Sequence, residues 1–309
     1  MDVYIAETGV LCFAIINVAK PSLMGKRSHA DMEGKNGASA SSPFMAMFEQ
    51  FKSELDEHHD RRERIIKASR DITAASKKII FALQRYGWPE QFERSLDILT
   101  IDRVRTLGDP IPPNLVKNNH QYYDTIFTQF SSVSGDLQGL NAHRYARQIS
   151  GGCQEWMEAV SFEYYLTKAS ILGFEDAAIL LQKNSEARGI ELSPEDYVLG
   201  IFDMTGELMR FGITSMATRG ALPGLSQGPN FGGPKNVLDD MRALRSALEA
   251  LNAGHGPFAK DVDKKMDVMR SSVEKVEKSL YGLVVRGAER PKGWNPDTET
   301  TSRAIEVDS

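Results

Sequence analysis

Cysteine is scarce in this 309-residue sequence, which contains only Cys12 and Cys153. They form neither the CxxC spacing of zinc and redox sites nor a disulfide framework, so thiolate metal sites are excluded and a reducing compartment is indicated. Positive charge is not in excess either, because the formal net charge is -5 at pH 7. A generally basic nucleic-acid-binding protein is therefore disfavoured, although the composition permits a local basic patch.

Long hydrophobic runs are also missing. The apolar stretch over residues 9–19 is far shorter than the ~20 residues of a membrane span. Acidic residues precede it where a secretory signal has basic ones. We therefore predict no membrane partner. We expect residues 1–41 to be a disordered extension, within which Met24 is an alternative start, and residues 293–309 to be a disordered tail.

The sequence pattern predicts helices rather than strands. No segment alternates with period two, and no repeat of 20–50 residues is visible. The first helix is predicted to run for about 40 residues, from the Ser42-Pro43 cap to the Gly87-Trp88-Pro89 break. Further helices are predicted over residues 91–107, 113–134, 140–170, 173–187, 193–219, 235–252 and 257–286. The fold prediction is an all-α, single-domain bundle of about seven helices with a very long first helix, over residues 42–292.

Two acidic pairs stand on segments that otherwise have the pattern of buried helix. They are Glu155 with Glu158, and Asp203 with Glu207. Apolar residues lie on both sides of each pair, which predicts helices that are buried nearly all round. An unpaired carboxylate is too costly to keep charged in such a setting. The sequence therefore predicts that these groups are neutral, paired with arginine or bound to a metal.

The residues alone leave two of these interpretations open. Arg210 is available to pair with Glu207, and Arg144 or Arg147 is available to Glu155, which would make the acids purely structural. Alternatively, four carboxylates from two helices supply the hard oxygen ligands that Mg²⁺ or Mn²⁺ takes. A di-iron site is disfavoured, because it needs a His three residues after a Glu.

Basic residues crowd the middle of the first predicted helix. The candidates for RNA contact are Arg61, Arg64, Lys67, Arg70 and, beside the second acidic pair, Arg210. Acids stand four residues before three of them, in the pairs Glu57/Arg61, Asp60/Arg64 and Glu63/Lys67. The first interpretation is a solvated face of intrahelical ion pairs. The alternative is a phosphate-contacting surface that gives salt-dependent RNA binding.

Four segments carry a family resemblance. They are the long-helix residues 48–81, residues 154–162 and 194–210 around the two acidic pairs, and residues 279–287. Together they resemble the translin family, in particular its translin-associated factor X proteins. The resemblance covers residues 42–292, and residues 24–41 also resemble the family's basic, serine-containing leader. Residues 1–23 and the short Gly-rich link 220–234 depart from the family pattern.

The resemblance implies a function. Its members are all-helical and assemble with translin into a closed hetero-oligomeric shell, in which this type of subunit is a Mg²⁺-dependent endoribonuclease, with Mn²⁺ as a substitute. The implied substrate is single-stranded RNA, such as small-RNA passenger strands or tRNA-processing fragments. The implied location is cytoplasmic and nuclear. The implied catalytic and metal-binding carboxylates are Glu155, Glu158, Asp203 and Glu207.

The sequence leads to three further expectations. Single-stranded DNA is an additional candidate ligand, because phosphate contacts do not distinguish sugars. The competing hypothesis for the whole chain is a non-catalytic nucleic-acid-binding scaffold that partners translin, in which the acids make only buried ion pairs. We also expect Gly206→Leu to harm activity by altering the packing of the two acidic helices.

Overall fold

A computed structural model describes residues 44–85, 107–108, 110–184, 190–224 and 236–286. The chain forms two compact units, residues 1–53 and 54–309. The first unit is described from residue 44 onward, and its residues 45–53 are helical. The interactions described below lie within the second unit.

Helices account for almost all of the described regular structure. They are α1 (Met45–Arg85), α2 (Pro113–Val133), α3 (Leu140–Lys168), α4 (Phe174–Asn184), α5 (Pro194–Arg219), α6 (Val237–Glu249) and α7 (Pro257–Arg286). A short 3-10 helix, Gly135–Leu137, precedes α3. The prediction of an all-α fold with about seven helices and a very long first helix is confirmed. Within the described ranges, no helix is long and apolar enough to cross a bilayer.

Some sequence predictions fall where the structure gives no description. The helix predicted over residues 91–107 lies outside the described residues except for its last position. Also outside the described residues are the predicted Ser42-Pro43 cap, the break over residues 86–89, and the tails 1–41 and 293–309. Most of the link 220–234 is outside them as well.

Local signals explain the ends of α5, which carries one acidic pair. The hydroxyl of Ser193 accepts a hydrogen bond from the backbone N–H of Asp196 at 3.0 Å, and Pro194 occupies the first helical position, where its missing N–H has no cost. Gly220 ends the helix with a φ of 69°, a left-handed conformation that glycine adopts without strain.

Helix α5 is central to the bundle because it packs against both α3 and α7. Its contact with α3 is close at Gly200, where a Cβ would lie 2.6 Å from the Cβ of Met157. Its contact with α7 buries Leu199 and Phe202 against apolar residues of that helix. The acidic side chains of α3 and α5 are consequently held by backbone elements that have little room to move.

The long helix α1 has two different parts. From Ile65 onward it contributes a fully buried stripe that includes Ile72, Ile79 and Leu83. Nearer its start, in contrast, the apolar side chains are open to solvent, and Leu55 is 68% exposed. The continuous apolar stripe in the sequence is therefore part of the core of this chain only in its second part.

Candidate active site

A cavity of about 720 Å³ lies among α1, α3, α5 and α7. Glu155 and Glu158 reach it from α3, and Asp203 and Glu207 reach it from α5. The structure thus brings together all four carboxylates that the sequence singled out. Their function as catalytic groups and metal ligands stays a prediction.

The acids point into this cavity because the rest of each helix is packed in the core. No residue of segments 152–167 and 196–209 is fully exposed, as the apolar pattern predicted. Trp156 and Met157 beside the first pair, and Leu208 beside the second, are completely buried. The prediction that both helices are buried nearly all round is confirmed.

Three of the four carboxylates have polar partners. Nζ of Lys77 lies 3.1 Å from Oε1 of Glu155, and Nζ of Lys265 lies 2.5 Å from Oδ2 of Asp203. The carboxylate of Glu207 accepts a hydrogen bond of 2.8 Å from the side-chain amide of Gln84. It also forms an ion pair with the largely exposed Arg210, at 3.1 Å. The predicted Arg210–Glu207 pair is confirmed.

The arginine partner predicted for Glu155 is wrong. Lys77 from α1 takes that place, whereas the guanidinium of Arg144 lies 2.8 Å from Nε2 of His58. Arg144 is about three helical turns from Glu155 on the same helix, so its side chain contacts a different part of α1. A partner from another helix cannot be identified from local spacing.

Glu158 is the carboxylate with the least compensation. Among the described residues it has no hydrogen-bonding partner. Burial, together with the negative charges of Asp203, Glu155 and Glu207, raises its pKa to about 8, against the lowering effect of Lys265. One carboxylate oxygen of Glu155, Oε2, is buried and also lacks a hydrogen-bond partner among the described residues. The cavity therefore leaves Glu158 and this oxygen of Glu155 without a donor, although Lys77, Arg85, Arg210 and Lys265 line it as well.

Comparison with known proteins identifies the family. The model of the translin family matches residues 60–287. Translin-associated protein X of Mus musculus is 32% identical over 279 residues, which cover 84% of this chain and 84% of that protein. The chain belongs to the translin family. Translin of Gallus gallus is 24% identical over 221 residues, covering 71% of this chain and 88% of that protein.

A solved structure has the same fold as this translin-family chain. It is the complex of AfC3PO with duplex RNA, which matches with a TM-score of 0.52 and 15% identity, over 79% of this chain and 100% of that one. The sequence-based resemblance to the family is confirmed, and the fold is related to that of C3PO components.

The donor set of the cavity suits a hard divalent cation. Carboxylate oxygens are the ligands that Mg²⁺ and Mn²⁺ prefer, and the unpartnered oxygens of Glu155 and Glu158 are the kind of group that an ion would compensate. As the side chains stand, however, no group of three or more His, Cys, Asp and Glu in the described residues is arranged to hold a metal ion. Lys77 and Lys265 supply the positive charge instead.

The predicted RNA-binding residues on α1 of this translin-family chain form two groups, which differ in their ion pairs. Arg61 and Arg64 both bind the carboxylate of Asp136, at 3.1 and 2.9 Å. In contrast, Lys67 and Arg70 are exposed, and neither takes part in an ion pair within the part of the chain that the structure describes. The two groups therefore differ in how freely they can contact phosphates.

The intrahelical ion pairs predicted on α1 are only partly present. Glu57 and Arg61 are 2.5 Å apart, which confirms that pair. Arg64 binds Asp136 rather than its predicted helix neighbour, and Glu63 lies 3.5 Å from the adjacent Arg62. The hydrogen bonds from Arg64 and Arg61 lower the pKa of Asp136. A tertiary partner outcompetes the local one because two guanidinium groups can share its carboxylate.

Sequence reasoning missed several residues that line the cavity. Gln84 and Phe81 come from α1, and Lys265 comes from α7. The spacing of Lys77, Phe81 and Gln84 along α1, four and then three residues, is the one signal that could have placed them on a common face. No local pattern marks Lys265, because its partner Asp203 is 62 residues away in the chain.

The prediction that Gly206→Leu alters the packing of the two acidic helices is wrong. Gly206 lines the cavity, and a Cβ added there would meet no atom within 4 Å. A larger side chain would occupy the cavity rather than push the helices apart. The close helix contact that requires glycine is instead at Gly200.

Proposed function

We propose that this chain is the metal-dependent endoribonuclease subunit of a hetero-oligomer with translin. The observation that carries the proposal is the convergence of four carboxylates in one cavity. Among the described residues, Oε2 of Glu155 is buried without a hydrogen-bond donor, and no donor contacts Glu158. Buried acids that serve only stability are normally satisfied by donors. Acids that are left uncompensated are typical of a site that receives a cation or a reacting group.

Glu155, Glu158, Asp203 and Glu207 would hold Mg²⁺, or Mn²⁺ in its place. The ion, when bound, polarises a phosphodiester and lowers the pKa of bound water. Because Glu158 has a raised pKa, it carries a proton at neutral pH before the ion arrives and must release that proton to become a ligand. Metal affinity therefore increases with pH up to about pH 8.

Other side chains of the cavity position the acids. Gln84 donates from its amide nitrogen to both the carboxylate and the backbone carbonyl of Glu207, at 2.8 Å each, which fixes the rotamer of that acid. Arg210 binds the same carboxylate from the solvent side. Lys265 holds Asp203, and it must turn aside when a cation takes that carboxylate. These are positioning roles.

RNA and translin are the proposed ligand and partner. The structure of AfC3PO contains duplex RNA, and translin from Gallus gallus is related to this chain over most of its length. The exposed apolar side chains near the start of α1, among them Phe48 and Phe51 of the first unit, provide the kind of surface that a helical partner covers. The proposed substrate is single-stranded RNA, with single-stranded DNA as a further ligand.

The test uses the full chain co-expressed with translin and a labelled single-stranded RNA, with Mg²⁺ or with EDTA. Glu155→Gln with Asp203→Asn is expected to lower the cleavage rate by about 10³-fold or more, because the bound ion supplies several kcal/mol of stabilisation. The matched control is Glu163→Gln, an acid on α3 that lines a different cavity. Normal cleavage by the double variant would contradict the proposal.

A second function is favoured by the ion pairs Lys77–Glu155 and Lys265–Asp203. In that alternative, the chain is a non-catalytic nucleic-acid-binding scaffold and lysine permanently supplies the positive charge. Titration of the complex with Mn²⁺, followed by electron paramagnetic resonance, distinguishes the two. The enzyme binds the ion through the four carboxylates, whereas the scaffold does not bind it there.

A further inference from the structure

An aromatic ring stands at the edge of the acidic cavity. Phe81 lines the cavity together with the four carboxylates, yet its side chain is 62% exposed. The neighbouring residue Ile80 is buried in the core, so α1 itself is firmly seated at this point. An exposed phenylalanine beside so many charges adds nothing to the core, and its hydration is unfavourable.

The position of this ring is fixed by contacts on either side of it. Lys77, one turn earlier on α1, binds Glu155 at 3.1 Å. Gln84, about one turn later, binds Glu207 at 2.8 Å. Phe81 lies between these two contacts on the same face of the helix. The ring is therefore held next to the acids contributed by both α3 and α5.

Phe81 also has a cationic neighbour. The guanidinium carbon of Arg85 lies 5.3 Å from the centre of the Phe81 ring, within the range of a cation–π contact. Arg85 lines the same cavity, as does Val268 of α7, which is 64% exposed. The edge of the cavity thus combines apolar side chains with positive charge, and its interior carries the carboxylates.

We propose that Phe81 stacks on an unpaired nucleobase next to the scissile phosphate and is a specificity-determining residue of this site. The inference rests on the proposed function. A nucleotide is the ligand that joins a flat apolar face to an anionic group, which matches an aromatic ring next to Arg85. A base inside a duplex is already stacked and paired, so only a single-stranded nucleotide can reach the ring.

The experiment measures binding by the full chain in complex with translin. The intact RNA is compared with a series of single-stranded RNAs in which one nucleotide, at a different position in each, lacks its base. Affinity is followed in EDTA, where no RNA is consumed, by the anisotropy of a labelled end. We expect the wild-type complex to bind the abasic RNA about 10-fold more weakly, the effect of losing one base–aromatic stack.

Three variants identify the ring as the cause. Phe81→Leu keeps apolar bulk but removes the aromatic face, and it is expected to bind intact and abasic RNA equally. Phe81→Trp is expected to keep the preference for the intact RNA. The control is Tyr281→Leu, because Tyr281 on α7 is 67% exposed and does not line this cavity; it is expected to behave like the wild type.

The outcomes separate this inference from the proposed function. If the wild-type complex shows no preference, or if Phe81→Leu retains it, the stacking role is wrong, even when metal-dependent cleavage is intact. If the preference depends on Phe81 but the complex cuts no RNA with Mg²⁺, the stacking role stands as a binding determinant and the endoribonuclease proposal fails.

Discussion

The contact between α3 and α5 contains two groups of acids, which differ in their supply of hydrogen-bond donors. Near the start of α5, Asp196 is only 8% exposed, and its carboxylate accepts hydrogen bonds from the hydroxyl of Ser150 and from the amide of Gln154. About three turns further along α5, the carboxylates of Glu207 and Asp203 face Glu158, which has no such donor among the described residues. Both groups lie between the same pair of helices.

We interpret the difference as that between a structural acid and an acid of the proposed metal site. Burial alone does not distinguish them, since Asp196 is as well buried as Glu207. What differs is the supply of donors: Asp196 has two from α3, whereas Glu158 is surrounded by other carboxylates that raise its pKa. Natural cores rarely leave a buried acid without donors, because an unsatisfied polar group costs about 1–3 kcal/mol. Under the proposed function, this cost is retained because the acids receive a cation.

The largest expected effect comes from removing the carboxylate of Asp196, which has hydrogen-bond donors. Asp196→Ala leaves the hydroxyl of Ser150 without its acceptor and removes one of the two acceptors of the Gln154 amide. It also removes a negative charge from the first turn of α5. We expect the free energy of unfolding to fall by about 3 kcal/mol. Urea denaturation of the purified complex measures this change.

The matched substitution at the other group is Glu158→Gln. No donor loses a partner there. The glutamine also cannot ionise in the unfolded state, whereas ionisation of Glu158 in that state favours unfolding of the wild type at neutral pH, so we expect the metal-free protein to become more stable by about 1 kcal/mol. Equal losses of stability from Asp196→Ala and Glu158→Gln would show that the distinction between the two groups is wrong.

The pH dependence of stability sharpens the same comparison. Glu158 has an ordinary pKa of 4.5 when unfolded and a pKa of about 8 in the folded protein. Between these values the unfolded state releases the proton and the folded state keeps it. The free energy of unfolding therefore falls as the pH rises from about 5 to 8, and the loss is complete above that range.

The amide introduced by Glu158→Gln cannot ionise. The free energy of unfolding of this variant therefore lacks the pH-dependent contribution of Glu158. We expect the stability difference between the variant and the wild type in EDTA to grow by about 2 kcal/mol from pH 5 to pH 8, after allowance for solvent screening. Denaturation at several pH values tests this, with Glu175→Gln, at an exposed acid of α4 outside this cavity, as the control. A constant difference across that range would contradict the raised pKa.

The fold was largely predictable from the sequence because its signals are local. The apolar period of α3 and α5, the Ser193-Pro194 start and the Gly220 end each act within a few residues. The exposed start of α1 was not predictable as such. Its apolar period looks the same as that of the buried part, and only the neighbouring helices decide which part is covered.

The sequence predicted the acids of the candidate site but not the residues that pair with them. Glu155, Glu158, Asp203 and Glu207 stood out because a charge is conspicuous on a buried helix. Lys265 did not, since a lysine on the partly exposed helix α7 is unremarkable until α7 packs against α5. Asp196 was also overlooked, although it is a buried acid on the same helix.

The smallest expected effect concerns the basic residues of α1, where partnered and unpartnered charges again lie side by side. Arg61 and Arg64 are held by Asp136, whereas Lys67 and Arg70 are exposed and, among the described residues, outside any ion pair. If this surface contacts RNA, the second pair should supply most of the phosphate contacts. Lys67→Gln with Arg70→Gln is then expected to weaken RNA binding. The slope of the logarithm of the affinity against the logarithm of the salt concentration is expected to become less steep by about 0.7 for each lost phosphate contact.

Arg61→Gln with Arg64→Gln is the matched comparison, because it removes the same two charges from the same helix. Those guanidinium groups must leave Asp136 before they can contact a phosphate, so we expect a smaller change in the salt dependence and a small loss of stability. RNA affinity of the translin complex at several salt concentrations measures both variants. A larger RNA effect from Arg61 and Arg64 than from Lys67 and Arg70 would mean that RNA displaces Asp136, and that an existing ion pair does not mark a charge as structural.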